Sequence, residues 1–138
     1  MGNSLKINSI NFEDIQESII KNKIMINTLN KDKQMCLIKN TLSADDEVIV
    51  INKLISEGTY DVTIIIYGEN SCDNNIYDKY KQLLGLGFAN IYIYIGGLFE
   101  WLLLQDIYGD DLFPTTCNIN DHLAYKGNKK INIKLLEN

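Results

Sequence analysis

The residues best equipped for chemistry in this chain stand together in one short stretch, Gly68-Glu69-Asn70-Ser71-Cys72-Asp73-Asn74. It follows a run of β-branched residues and precedes an amphipathic segment. A cysteine in a loop that leads into a helix is a candidate nucleophile. The first N–H groups of the helix and its dipole favour an anion there. Cys72 could then serve as a thiolate nucleophile. Two features oppose this. The loop contains no Lys or Arg, and Glu69 and Asp73 flank the thiol, where carboxylates favour its protonated form.

The other reactive residue types read more simply. Cys36 lies in an apolar run, where a free cysteine behaves as a small hydrophobe. Cys117 lies in a polar tail and becomes a second thiol only if that tail folds over the loop. Three cysteines without a CxxC spacing or a histidine pair indicate neither a disulfide framework nor a zinc site. His122, the lone histidine, has no nucleophile at a recognisable spacing and reads as a surface residue. Asp110 and Asp111 form a solvated turn. Tyr92 and Tyr94 alternate with Ile91, Ile93 and Ile95, a pattern of sheet packing before one of base stacking. Gly85-x-Gly87 has no phosphate-loop context. No metal and no cofactor are expected.

All 13 basic residues are lysines. Cysteine-dependent phosphoryl transfer needs a cation such as arginine to hold the transferring group, and this chain has none. The net charge of −5 and the lack of a lysine-rich block make nucleic acid an unfavoured partner. No apolar run approaches the roughly 20 residues of a membrane span. The stretch 91–104 comes nearest and is interrupted by Gly96, Gly97 and Glu100. No signal peptide is read at the start, and Lys6 stands where a myristoylation motif has Ser or Thr. An intracellular, reducing compartment, the cytoplasm, is the expectation from the cysteines.

The 138 residues suit one domain, with a core over about 10–108 and an extension over 109–138. Asn11 caps a predicted helix over 12–22, with Phe12, Ile15, Ile19 and Ile20 on one face. Residues 23–28 read as a short buried strand, 30–34 as a polar loop and 35–38 as a second apolar run. Ser43 opens a capping box and a helix that places Val48, Ile51, Leu54 and Ile55 together and stops at Gly58. Residues 61–67 form the clearest strand, continuously apolar and so buried on both faces of a parallel sheet. A helix over about 74–86 buries Ile76, Tyr80, Leu83 and Leu84 and ends at Gly85 and Gly87. A strand over 89–95 turns at Gly96-Gly97 into a helix that is apolar nearly all round. Residues 130–136 alternate like an edge strand or a packed tail. Strands alternating with helices predict an α/β layer fold, a mainly parallel sheet with helices on both faces.

The order Leu83, Leu84, Gly87, Phe88, strand, Gly96, Gly97, Trp101 resembles the rhodanese family over most of the chain. These residues are structural. Gly87 stops a helix in a left-handed turn, Phe88 plugs the core, and burying Trp101 is worth roughly 3–5 kcal/mol against alanine. The resemblance implies a three-layer rhodanese-like sandwich with its active-site loop at 68–74. In active members that loop begins with cysteine, and backbone N–H groups plus a basic side chain hold a thiolate or persulfide. Here Gly68 takes the cysteine's place. The implied function is a rhodanese-like domain without sulfurtransferase activity, a binding or regulatory module. Its partner is an unidentified protein or small molecule at residues 68–74. The segment 68–87 is longer than in common members, so a shifted loop would bring Cys72 into the nucleophile's place. The alternative is then a single-domain sulfurtransferase or thiol-redox enzyme. Trp101 is expected near Phe88 or neighbouring strand residues.

Overall fold

The computed structural model describes residues 7–117, 123–129 and 131. Its elements run β1 Ser9–Ile10, α1 Phe12–Ile20, β2 Ile24–Asn27, a 3-10 turn Lys31–Lys33, α2 Ala44–Glu57, β3 Ile64–Tyr67, α3 Asn75–Leu86, β4 Ile91–Tyr94 and α4 Gly97–Tyr108. The four strands form one sheet in the order β1-β4-β3-β2, and every pair is parallel. All four strands therefore point their C-terminal ends to the same edge.

Alternation along each strand divides the core into two layers. Ile65, Tyr67 and Tyr94 face the layer that holds Ile15 of α1 and Leu98, Trp101 and Leu102 of α4. Ile64, Ile66, Ile91 and Ile93 face the layer that holds Ile51 of α2 and Ile76, Tyr80 and Leu83 of α3. The sheet is thus covered on both faces, which explains why its strands are apolar throughout. This is the three-layer α/β arrangement expected from the sequence.

The helix boundaries follow local chemistry. The Asn11 side chain accepts from the Glu13 and Asp14 N–H groups, while Asp14 accepts from the Asn11 N–H. The Ser43 side chain accepts from the Asp46 N–H. Gly58 and Gly87 close α2 and α3 in left-handed conformation.

Several expectations need correction. Helix α1 stops at Ile20, and Ile20 and Val48 are exposed, so neither joins the core face. Gly85 lies within α3, leaving Gly87 alone as its stop, and Leu84 sits at the exposed margin. Strand β3 begins at Ile64 rather than at residue 61. Met35 is exposed, although Cys36, Leu37 and Ile38 after it are buried. Trp101 is fully buried and packs, as expected, on a neighbouring strand residue, Tyr94, and also on Phe113; Phe88 instead belongs to the opposite layer, with Tyr60. The sheet separates the two rings, because Trp101 rides on α4 over one face while Phe88 packs with the α3 residues over the other. Cys36 and Cys117 are joined as a disulfide, with Cα atoms 5.2 Å apart. That pair withdraws the cysteine argument for a reducing compartment. His122 and most of 130–136 lie outside the described residues.

The extension after α4 packs back on the body. Phe113 stacks edge-on against Trp101, whose indole N–H donates to the Pro114 carbonyl. Residues 114–116 then run beside 37–39: Lys39 N–H donates to Pro114 O, Thr116 N–H to Leu37 O, and Leu37 N–H to Thr116 Oγ1.

Candidate functional site

Strand β3 delivers the chain to the C-terminal edge of the sheet at Gly68, which is buried. Residues 68–74 then turn into α3. Such an edge, outside the carboxyl ends of parallel strands, is where open α/β folds bind ligands. The loop is held from below by α4. The Leu98 and Phe99 N–H groups donate to the Gly68 and Glu69 carbonyls at 3.0 and 2.9 Å. Gly97 makes this approach possible. Its φ is +70°, and a Cβ there would stand 2.6 Å from the Gly68 oxygen and 3.0 Å from the Asn70 nitrogen.

The amide side of the loop is organised by two side chains. Asp73 Oδ2 accepts from the Glu69 N–H and from Thr28 Oγ1, both at 3.0 Å, and Oδ1 accepts from the Asn75 N–H at 2.9 Å. The third of these serves the first turn of α3, which has no cap from Asn74 itself. Asn70 Oδ1 accepts from the Cys72 N–H at 2.9 Å, and the Asn70 carbonyl accepts from the Asp73 N–H at 3.2 Å. Asp73 also lies over Gly68. A Cβ at Gly68 would meet its carboxylate at 2.5–2.8 Å and its Cβ at 2.9 Å. A side chain at position 68 has no room while Asp73 keeps this rotamer.

Glu69 lines the same cleft as Cys72 and is paired with a cation. It accepts a 2.6 Å hydrogen bond from Lys33 Nζ, and that bond holds the Lys33 ammonium above the ordinary lysine range despite some opposing desolvation. The loop thus acquires from the 3-10 turn the cation that its own sequence lacks. Tyr125, from the extension, is buried beside the same pair. Its hydroxyl donates to the Lys33 carbonyl at 3.3 Å, and its own carbonyl accepts from Asn70 Nδ2 at 2.8 Å. Burial, and then the Glu69 charge, push the Tyr125 phenol upward.

The structure brings all seven predicted site residues into this loop. Cys72 is a free, exposed thiol two residues before the Asn74 cap of α3, and Ser71 and Asn74 are exposed beside it. Together with Thr28, Asn30, Asn75 and Asn128, Cys72 and Asp73 line a cleft of ≈ 300 Å³. Five asparagines, Thr28 and the carboxylates of Glu69 and Asp73 make its lining strongly polar. A cleft of similar size, ≈ 320 Å³, lies beside α1 near the start of β3, but it offers no thiol. Its Lys21 and Glu17 are paired with each other at 2.6 Å. Among the described residues, no group of three or more His, Cys, Asp or Glu is placed to hold a metal ion. No helix among them is long and apolar enough to cross a membrane.

Thr28, Lys33 and Tyr125 escaped the sequence reading. They stand 45, 36 and 55 residues from their loop partners Asp73, Glu69 and Asn70, so no local pattern links them.

Fold and loop together place Gly68 at the end of β3 on the C-terminal edge of a parallel sheet, with Cys72 exposed two residues before the Asn74 cap of α3. The sequence pattern of the Rhodanese-like domain family matches residues 7–104, from before β1 into α4. The chain belongs to the rhodanese-like domain family. No curated protein matches it.

Proposed function

We propose that this rhodanese-like domain works as a binding or regulatory module through residues 68–74 and does not transfer sulfur. The observation that supports this most is the place of Asp73. A persulfide anion on residue 68 would need the space above Gly68 and the N–H groups around it. The Asp73 carboxylate takes that space and accepts from the Glu69 and Asn75 N–H groups. The domain places its own carboxyl side chain where active relatives hold a transient persulfide. Hydrogen bonds to a charged acceptor are about twice as strong as neutral ones, so this occupant is not readily displaced.

The lining of the cleft indicates the partner class. Its carboxamides, with the Thr28 hydroxyl and the Glu69 and Asp73 carboxylates, suit a polar protein segment or small molecule. Lys33 is engaged by Glu69, and the net charge of −5 disfavours nucleic acid. One observation favours the alternative enzyme reading, that the exposed Cys72 thiol borders the same cleft. Intact-mass analysis after incubation with thiosulfate separates the two. The module reading expects no added sulfur atom on the protein. A stable gain of one sulfur, mapped to Cys72, would favour the sulfurtransferase.

A further inference from the structure

The extension that follows the family-matched residues returns to the loop those residues build. Asn70 is buried, and its Nδ2 donates to the Tyr125 carbonyl at 2.8 Å. Tyr125 is buried in the core layer of α1 and α4, its hydroxyl on the Lys33 carbonyl. Gly127 passes against Cys72: a Cβ there would stand 3.3 Å from Sγ. Asn128 forms part of the cleft wall. Upstream, Cys117 ties the same extension to Cys36, which is fully buried beside β2 and its loop.

We propose that residues 123–129 are an internal cover over Asn70 of the 68–74 loop, latched by the Cys36–Cys117 disulfide, so that access to the Asn70 side chain is set by thiol redox state. This rests on the reading of that loop as the recognition surface. The latch works through chain length. Tyr125 lies eight residues beyond Cys117, a reach of at most about 29 Å. The disulfide, added to the hydrogen bonds between 114–116 and 37–39, therefore keeps the cover at high local concentration over the loop, and cutting it leaves those bonds to hold the extension. Opening needs a dithiol reductant. Cys36 is inaccessible, so one reductant thiolate attacks Cys117 Sγ, and the Cys36 thiolate leaves and takes a proton. The second reductant thiol then displaces Cys117 from the mixed disulfide. Two electrons and two protons pass to the protein, and the reductant becomes a disulfide. Loss of the cover frees Asn70 Nδ2 to donate to an acceptor carbonyl of the partner in place of Tyr125.

Hydrogen–deuterium exchange on the full chain, oxidised and after dithiothreitol, tests this without any ligand, so its failure is distinct from failure of the module reading. Peptide mapping of protein prepared without reductant should find Cys36 joined to Cys117. Reduction should then speed exchange over 123–129 by about tenfold or more and leave α3 unchanged, because local opening is cheaper than global unfolding. A Tyr125→Ala chain should show the same acceleration with the disulfide intact. Free thiols at both positions in the unreduced protein would overturn the proposal. So would unchanged exchange over 123–129 after the bond is cut, or an equal acceleration throughout α3.

Discussion

The Asp73 carboxylate stands in the space that a side chain at Gly68 would need, with Oδ2 2.5 Å from where a Cβ would lie. The backbone is not the obstacle, because Gly68 is not among the positive-φ glycines. The conflict is between two side chains and should appear as an energetic coupling. Gly68→Ala should cost about 1–3 kcal/mol in the native chain, the usual range for overpacking. In an Asp73→Gly background the same change should cost far less. A denaturant double-mutant cycle should give a coupling of about 1 kcal/mol or more, whereas independent sites add to within about 0.5 kcal/mol.

Gly97 and Gly58 offer a matched pair. Their φ angles are +70° and +69°, but a Cβ at Gly58 would meet nothing within 4 Å, while one at Gly97 would strike the Gly68 carbonyl. Both alanine substitutions incur left-handed strain of roughly 1–3 kcal/mol. Only Gly97→Ala also forces the loop away from α4 and breaks the Leu98 and Phe99 hydrogen bonds. Gly97→Ala should therefore destabilise by about 2 kcal/mol more than Gly58→Ala in equilibrium unfolding. Equal losses would show that the loop does not rest on α4 as described.

Two buried tyrosines set an alkaline limit. Burial pushes the phenols of Tyr67 and Tyr94 well above the ordinary tyrosine value of 10.0. For Tyr67 the hydrogen bonds with Thr41 and Ile38 offset part of this. For Tyr94 the nearby Glu100 charge adds to it, although that carboxylate is not placed for a geometric hydrogen bond. A raised folded value leaves the native state protonated while the unfolded chain ionises near pH 10. The contribution is thus fully present below about pH 10 and lost as the pH climbs toward the folded values. Phenolate absorbance from these two of the eight tyrosines should appear only together with cooperative unfolding.

Much of the scaffold was legible because it is written locally. The Asn11 and Ser43 caps, the Gly58 and Gly87 stops and the apolar strands β3 and β4 all rest on neighbours in sequence. Strand β1 was not legible, since two residues carry no periodicity and pair only because β4 presents an edge. The disulfide was hidden by its separation of 81 residues and by an odd cysteine count. At the candidate site, the sequence placed residues 68–74 in a loop between β3 and α3. It could not show which way Glu69 and Asp73 turn, because Lys33 and Thr28 decide that from the loop after β2. Read in line, both carboxylates flank Cys72. In three dimensions one is engaged by Lys33, and the other organises the loop and fills the space beside Gly68.

Thiosulfate-to-cyanide sulfur transfer, measured for the full chain beside Cys72→Ser, tests the central claim most directly. With Asp73 in the carrier's place and no side chain at Gly68, both proteins should form thiocyanate at the protein-free rate. Robust turnover by the native chain that disappears in Cys72→Ser would contradict this account and make Cys72 the sulfur carrier.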